Sequence, residues 1–237
     1  MQNGLKKRLL DTAVAPYRAL RRSDYYWARG KLRNDPVFAA LLDRRVFPDR
    51  ARILDLGCGR GLLAAWLLAA EQLADAEVAA ALTPPRGLHF RGIELAVHEA
   101  QRCNTALQRA HGERVSLEGG DIRATVIDDV DVVAMLDVLH YIPRADQERL
   151  LDRIRAGLQT GGLFVTRVGN AAGGWRFGFS QIVDRIVASI RSRRPVRTWC
   201  RPLAEWRSAL ESRGFSVETL PMGGSSFANV LLVCRVV

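Results

Sequence analysis

The chain has 237 residues, of which 48% are hydrophobic and 25% are charged, which is enough for one domain-sized hydrophobic core. Its formal net charge is +10, and no apolar run approaches the roughly 18 residues that a transmembrane helix needs. These properties exclude an integral membrane protein, and because no signal-peptide pattern is seen we expect a cytoplasmic location.

The first 47 residues are predicted to form an N-terminal basic helical appendage, in front of a main domain at residues 48–237. Their apolar residues recur with helical periodicity, with Asp35-Pro36 as a plausible helix start and Pro48 as a plausible stop. The aromatic residues within "DYYWARG" are expected either to close over a ligand site or to touch a membrane surface.

The same appendage is strongly basic and amphipathic. Residues 1–33 carry nine lysines and arginines against two aspartates, a net charge of +7. Five apolar residues recur at helical spacing: Leu5, Leu9, Leu10, Val14 and Tyr17. A basic helix with one apolar face can lie on an anionic membrane surface, but such faces are more often buried against the same chain. Packing as a lid and peripheral membrane contact therefore both stay open for residues 1–33.

From residue 52 onward, short apolar runs alternate with helical stretches. The predicted strands are Arg52–Leu56, Leu88–Leu95, Arg114–Glu118, Val130–Leu136 and Leu163–Val168, and the predicted helices are Leu62–Leu73, Val97–Ala110 and Ala145–Leu158. This alternation predicts an α/β protein with a parallel sheet covered by helices on both faces. Continuous apolar strands are typical of burial on both sides of the sheet.

The C-terminal part has a different order of elements. Helices are predicted at Phe179–Ser192 and Pro202–Arg213, followed by strands at Phe215–Leu220 and Asn229–Val236. Two strands joined by a short glycine-containing turn indicate a hairpin. The parallel sheet is therefore expected to end in an antiparallel pair.

A glycine-rich stretch, "ILDLGCGRGLL" at residues 53–63, follows the first predicted strand. Glycine can adopt a positive φ and lets a ligand approach the backbone, and the helix that follows presents unpaired N–H groups. The spacing is G-x-G-x-G, whereas dinucleotide folds use G-x-G-x-x-G. Asp55 would repel a pyrophosphate but suits a cationic amino-acid headgroup. The stretch predicts a cofactor cradle at the carboxyl end of a strand.

This stretch resembles motif I, E/D-x-G-x-G-x-G, of the class I S-adenosylmethionine-dependent methyltransferases. The resemblance covers about residues 50–237. It implies a Rossmann-like, doubly wound, seven-stranded sheet and S-adenosylmethionine as the cofactor. The residues that the resemblance implies for cofactor binding are Asp55, Gly57, Cys58, Gly59, Gly61, Glu94, Leu95, Asp121, Ile122, Asp137 and Val138.

Two acids have specific implied roles in that family. Glu94 resembles the acid that accepts both ribose hydroxyls, which a carboxylate can do. It lies 33 residues after Gly61, where about 20 is usual, so an insertion is expected between them. Asp121 resembles the acid that binds the adenine amino group, with Ile122 packing on the ring. Both acids could instead only cap the helices that follow.

The stretch after the fourth predicted strand, "AMLDVLHYIP", discriminates between substrates. Nucleobase N-methylases usually carry N/D-P-P-Y/F here, whereas this chain has Asp-Val-Leu-His. This departure argues against a nucleic-acid substrate. The stretch "DVLHYI" instead resembles the corresponding stretch of small-molecule, quinone and lipid methyltransferases. His140 is the candidate general base, because an imidazole titrates near pH ~6.5. It could also only pack at the pocket wall, and Tyr141 is a weaker alternative.

A substrate-side insert is predicted at about residues 170–201. Its stretch "GNAAGGWRFGF" offers Trp175 and Phe177 as an apolar wall, and residues 184–201 hold six arginines against one aspartate, a net charge of +5. It is expected either to pack on the core or to cover a hydrophobic substrate that is anionic or carrier-tethered. The oligomeric state is left open.

The prediction is therefore O- or C-methylation of a quinone, lipid or polyketide/aryl-polyene-type product. The alternatives are an RNA methyltransferase, which the charge favours, and a non-catalytic S-adenosylmethionine-binding module. No metal is expected. The four cysteines, Cys58, Cys103, Cys200 and Cys234, are expected to be free thiols, because they form no CxxC pair.

Overall fold

The computed structural model describes residues 3–76, 83–169, 198–222 and 229–237. The chain forms two compact units, residues 1–126 and 127–237. The predicted helix Phe179–Ser192 and most of the predicted insert, with Trp175 and Phe177, lie outside the described residues. The predicted division at residues 47 and 48 stays a prediction.

The first unit begins with four helical segments. They are α1 (Asn3–Val14), a 3₁₀ helix (Ala15–Ala19), α2 (Arg22–Asn34) and α3 (Pro36–Asp43). The predicted helix start is confirmed, because the Asp35 side chain caps α3 by accepting a hydrogen bond from the Val37 amide at 3.0 Å. Pro48 does not end this helix. Arg45 already turns the chain with a φ of 49°, and the Val46 amide donates back to the Leu41 carbonyl.

The apolar face predicted for the N-terminal segment is mostly buried. Leu9, Leu10, Val14 and Tyr17 are among the core residues, and α1 packs against the first helix of the sheet region, α4 (Leu62–Asp75). The structure thus favours packing within the first unit over exposure of this face to a bilayer. Among the described residues, no helix is both long and apolar enough to cross a membrane.

The first unit continues with three parallel strands and two helices. They are β1 (Arg52–Leu56), α4, β2 (His89–Glu94), α5 (Val97–His111), a 3₁₀ turn (Gly112–Arg114) and β3 (Val115–Gly119). β2 pairs with β1 and β3, and Glu94 lies opposite Gly119. The carboxyl ends of all three strands therefore share one edge, which is where the motif residues lie.

The second unit holds the rest of the sheet. Outside residues 170–197 and 223–228, its elements are β4 (Val132–Leu136), a 3₁₀ helix (Leu139–Tyr141), α6 (Arg144–Gly157), β5 (Leu163–Gly169), α7 (Leu203–Glu211), β6 (Phe215–Pro221) and β7 (Asn229–Val236). β4 and β5 are parallel, and β7 pairs antiparallel with β5 and β6. The sheet has seven strands in the order β3-β2-β1-β4-β5-β7-β6, which confirms the predicted fold.

Candidate functional site

The glycine loop, residues 57–61, connects β1 to α4 through left-handed backbone. Gly57, Gly59 and Gly61 have φ angles of 76°, 56° and 73°. Side chains are disfavoured at such angles. Gly61 also has no room for one, because a Cβ would lie 2.6 Å from the Leu107 side chain and 2.9 Å from that of Leu117. Gly61 is thus a packing requirement of α5 and β3, while Gly59 has open space around it.

The end of β2 holds the glycine loop in place. The Ile93 carbonyl accepts hydrogen bonds from the amides of Gly57 at 2.8 Å and Cys58 at 3.1 Å. Glu94 adds its side chain, because one carboxylate oxygen accepts from the Gly59 amide at 2.9 Å and the other from the Ala96 amide at 3.0 Å. A carboxylate offers about four lone-pair sites, so two remain for further donors such as hydroxyl groups.

Asp55 is a buried acid beside a second acid. It is 6% exposed, and burial first and the negative charge of Glu94 second raise the pKa of Asp55 to about 7. A bound cation would remove both the repulsion between the acids and part of the desolvation cost. The pair therefore has the charge and position of a site for a cationic headgroup. The neighbouring Cys58 is buried, and burial also raises the pKa of its thiol, which keeps it un-ionised.

The neighbouring strand ends carry the remaining predicted residues of the first unit. Leu95 follows β2 directly and is 74% exposed. Asp121 follows β3, and the Arg123 guanidinium donates to both of its oxygens, to Oδ1 at 3.1 Å and to Oδ2 at 2.6 Å. The hydrogen bond from Arg123 holds the pKa of the Asp121 carboxyl below its usual value. Ile122 is half-buried beside it. Sequence reasoning missed Arg123.

The N-terminal helices reach the glycine loop. The Tyr17 hydroxyl donates to the Arg60 carbonyl at 2.7 Å, and the Arg60 guanidinium lies 4.5 Å from the centre of the Trp27 ring. The aromatic stretch of α2 is predicted to close over a ligand site or to touch a membrane surface, and its Trp27 ring stacks on Arg60 of this loop. Arg60 itself was not singled out in the sequence, because nothing local distinguishes it from any loop arginine.

In the second unit, the loop after β4 is fixed by an ion pair. Asp137 has a φ of 61°, an uncommon backbone angle that aspartate tolerates better than most residues. The Arg167 guanidinium from β5 binds both oxygens of Asp137, the Nε atom at 2.6 Å. Arg167 is 4% exposed. Sequence reasoning missed it, although a lone arginine within "LFVTRVG" predicts a buried carboxylate partner.

The same loop carries His140 and Tyr141, whose rings lie 4.1 Å apart. Burial, together with the charge of Arg167, lowers the pKa of His140 despite the opposing charge of Asp137. Its Nε2 atom is buried and has no hydrogen-bond partner among the described residues. The imidazole is therefore neutral near pH 7 and retains a nitrogen lone pair, as a general base requires.

Gln147 on α6 makes this loop rigid. Its side-chain amide is fully buried and donates to the carbonyls of Leu139 and Ile142, both at 2.9 Å. The Trp199 amide donates to the His140 carbonyl at 2.7 Å. The backbone on both sides of the candidate base is thus held by buried hydrogen bonds, a feature that the sequence did not predict.

The structure brings the predicted residues together in two groups, one in each unit. Asp55, the glycine loop, Glu94 and Leu95 form one cluster, with Asp121 and Ile122 following the neighbouring strand. Asp137, Val138, His140 and Tyr141 share the loop after β4. The first group has the chemistry that S-adenosylmethionine needs: a buried acid beside a half-buried one, open space around Gly59 and the exposed apolar side chain of Leu95.

Comparison with known proteins places these features in a family. The model of the family described as "Methyltransferase domain" matches residues 26–220. Among curated proteins, the carboxy-S-adenosyl-L-methionine synthase of Haemophilus ducreyi is 27% identical over 126 residues, which is 53% of this chain and 47% of that protein. The alignment thus spans about half the length of this relative.

Solved structures of methyltransferases share the fold. Magnesium protoporphyrin IX methyltransferase from Synechocystis PCC 6803, with S-adenosylhomocysteine bound, superimposes with a TM-score of 0.59 at 18% identity and covers 98% of each chain. Mitomycin 7-O-methyltransferase gives a TM-score of 0.58 at 20% identity, over 97% of this chain and 68% of that one. Because the family match extends over most of the sequence, this chain belongs to the methyltransferase domain family.

Proposed function

We propose that this chain binds S-adenosylmethionine and transfers its methyl group to a hydrophobic small molecule. The observation that carries the proposal is the pairing of buried Asp55 with Glu94 around a glycine loop that has left-handed backbone at three positions. When bound, the cofactor supplies a methyl group already activated by its sulfonium. The chain's own task is then to align an acceptor atom and to remove a proton from it where one is present.

The roles of the cofactor residues follow from their chemistry. Asp55 supplies negative charge for the cationic amino-acid end. Glu94 keeps the loop closed through the Gly59 amide and has lone pairs left for the ribose hydroxyls. Leu95 and Ile122 offer apolar surface to the adenine ring. Asp121 is proposed to accept from the adenine amino group while Arg123 fixes its orientation.

The acceptor is proposed to meet the loop after β4. His140 is half-buried with a buried Nε2 atom, is neutral near pH 7 and is fixed by its backbone, so it suits removal of a proton from a hydroxyl or an acidic carbon. Tyr141 lies against its ring. The Asp-Val-Leu-His sequence lacks the proline and aromatic residues of nucleobase N-methylases, which supports a quinone, lipid or polyketide-type acceptor. The fold neighbours named for magnesium protoporphyrin and mitomycin support a small molecule in general.

A second candidate activity follows from the name of the curated relatives. Several are carboxy-S-adenosyl-L-methionine synthases, at 27 to 31% identity over 126 residues. Such an activity would replace a hydrogen of S-adenosylmethionine with a carboxyl group, so it needs a carboxyl donor in the incubation in place of a methyl acceptor, and it releases a proton. Mass spectrometry of the nucleoside recovered after incubation distinguishes the two, because only the second candidate returns a carboxylated cofactor.

We predict that S-adenosylhomocysteine binds the purified chain with a dissociation constant in the micromolar range, about −8 kcal/mol. Isothermal titration calorimetry measures it, and NAD serves as the control ligand because its pyrophosphate would be repelled by Asp55. Binding of NAD with no binding of any S-adenosyl compound would contradict the proposed cofactor. Salt-resistant incorporation of labelled methyl groups into RNA, and none into an organic extract, would instead favour the RNA methyltransferase.

Replacing His140 with glutamine is expected to lower kcat about 100-fold for a hydroxyl acceptor, because general-base catalysis typically contributes at least that much. The dissociation constant for S-adenosylhomocysteine should stay within about threefold, since the change lies outside the cofactor group. Tyr141→Phe tests the alternative base, and it should keep most activity because His140 is the proposed base. Because the pKa of His140 is lowered, the wild-type rate should fall on acidification only below the usual histidine range. A His140→Gln enzyme with near-normal kcat would show that alignment alone suffices.

A further inference from the structure

A buried ionic cluster joins helix α2 to the glycine loop. The Arg60 guanidinium donates to Glu99 on α5, with its Nε atom at 2.7 Å, and its Nη2 atom lies 3.3 Å from an oxygen of Asp24 on α2. Arg102 approaches the same Asp24 oxygen at 3.7 Å. Asp24 is 1% exposed, so the N-terminal helix contributes a fully buried acid to this cluster.

Two further contacts hold Arg60 from the same side. Trp27, one helical turn after Asp24, stacks on the guanidinium at 4.5 Å. The buried Tyr17 hydroxyl donates to the backbone carbonyl of Arg60 at 2.7 Å. The N-terminal segment therefore binds both the side chain and the backbone of the one residue in the loop that has a long side chain.

The cluster is poorly arranged for stability alone. Three of its buried polar atoms have no hydrogen-bond partner among the described residues: Asp24 Oδ2, Arg60 Nη1 and Arg102 Nε. Unsatisfied buried polar atoms are destabilising, and apolar side chains of similar volume often stabilise as well as a buried ion pair does. What the charged groups add over apolar packing is a fixed direction for the Arg60 side chain.

A fixed direction matters because the backbone next to Arg60 is intrinsically free. Glycines flank Arg60 on both sides, and glycine accepts many backbone conformations that other residues do not. On the other side of the loop, Glu94 holds the Gly59 amide. Arg60 is where the N-terminal helices hold the loop, opposite the anchor that Ile93 and Glu94 provide.

We propose that Asp24 is a positioning residue for cofactor binding, which acts through Arg60 to fix the glycine loop and makes helix α2 part of the cofactor site. This inference rests on the proposed cofactor. It gives the N-terminal segment a part in positioning the glycine loop for the cofactor, in addition to what the loop motif and the sheet contribute. The cofactor meets an ordered loop only while the α2 contact is intact.

The test is Asp24→Asn in the full chain. We expect its dissociation constant for S-adenosylhomocysteine to rise about tenfold, in the range lost with a charged hydrogen bond. Arg60→Lys, which keeps the charge but not the planar fork, should give a smaller rise. When Asp24→Asn is added to an Arg60→Met variant, the dissociation constant should rise little further, because both residues act through the same contact.

The matched control is Asp11→Asn, which removes another N-terminal ion pair, between Asp11 on α1 and Arg29 on α2 at 2.6 Å. It should leave the dissociation constant within about twofold. A readout without cofactor is amide hydrogen exchange of residues 57–61, which should be faster in free Asp24→Asn than in the wild-type chain. Should Asp24→Asn not fold, Arg60→Lys provides the same two readouts.

Three results would overturn the inference. They are unchanged affinity and exchange in a folded Asp24 or Arg60 variant, additive losses in the double variant, and an equal loss of affinity in Asp11→Asn. Faster exchange in Asp24→Asn together with no wild-type binding of any S-adenosyl compound would reject the proposed cofactor but keep the contact between α2 and the loop.

Discussion

Replacing Glu94 with alanine is expected to weaken S-adenosylhomocysteine binding by at least about 100-fold, the largest loss that we predict for a single side chain. The carboxylate holds two backbone amides, those of Gly59 and Ala96, and hydrogen bonds to a charged group contribute about 1.5–3 kcal/mol each. A loss of 100-fold corresponds to about 2.7 kcal/mol, so losing the loop anchor together with the proposed ribose contacts reaches it.

The comparison variants for Glu94 separate charge from loop anchoring. Glu118 lies on the adjacent strand β3, half exposed and paired with Arg91 at 3.6 Å, and Glu118→Ala should bind almost normally. Glu94→Gln keeps a single acceptor oxygen and should fall between alanine and wild type. Calorimetric titration of the three variants measures this order. Binding by Glu94→Ala within threefold of the wild type would show that the acid only caps the chain after β2.

The fold was predictable because its signals are local. The bounds of β1 and β7 match the prediction, since each is a mostly apolar run near glycines: β1 is followed by Gly57, and β7 comes after Gly223 and Gly224 in the sequence. The cofactor cluster was predictable because the motif residues follow strands that are parallel neighbours, and parallel strands end at the same edge of a sheet.

Contacts between distant parts of the chain were not predictable in the same way. Arg60 contacts Asp24 and Tyr17, which lie on helices far earlier in the chain. No periodicity in the sequence relates these residues to Arg60. The sequence of amphipathic α1 leaves both a membrane surface and a neighbouring helix open, although it favours the helix, and its packing on α4 supports that preference. Arg167 differs, because a charged residue within a buried strand requires an opposite charge nearby.

Asp55 predicts a pH dependence of cofactor affinity that the sequence does not reveal. In the free protein, burial and Glu94 raise the pKa of Asp55 to about 7, so about half of the molecules carry a protonated Asp55 at pH 7. The cation of the cofactor favours the carboxylate form and lowers that pKa in the complex. Binding at pH 6 to 7 must therefore release a proton, and affinity must rise with pH in that range.

The same pKa gives the sign of the stability change. Asp55 titrates near 3.8 when the chain is unfolded and near 7 when it is folded, so between these values the folded state binds more protons. The contribution of this group to the free energy of unfolding is therefore present at low pH and is lost as pH rises from about 4 to about 7. Asp55→Asn removes the buried charge, and we expect it to raise the melting temperature of the free protein at pH 7.5 while weakening cofactor binding.

Calorimetric titration tests the expected pH dependence of cofactor affinity and its origin in Asp55. For the wild type, the dissociation constant for S-adenosylhomocysteine should be about fivefold higher at pH 6 than at pH 7, a range below the titration of the ligand's amino group. Titrations in buffers of different ionisation enthalpy count the proton released. Asp75→Asn, a half-exposed acid at the end of α4, is the matched control and should keep the wild-type dependence. An Asp55→Asn protein with the same pH dependence as the wild type would assign the proton to another group.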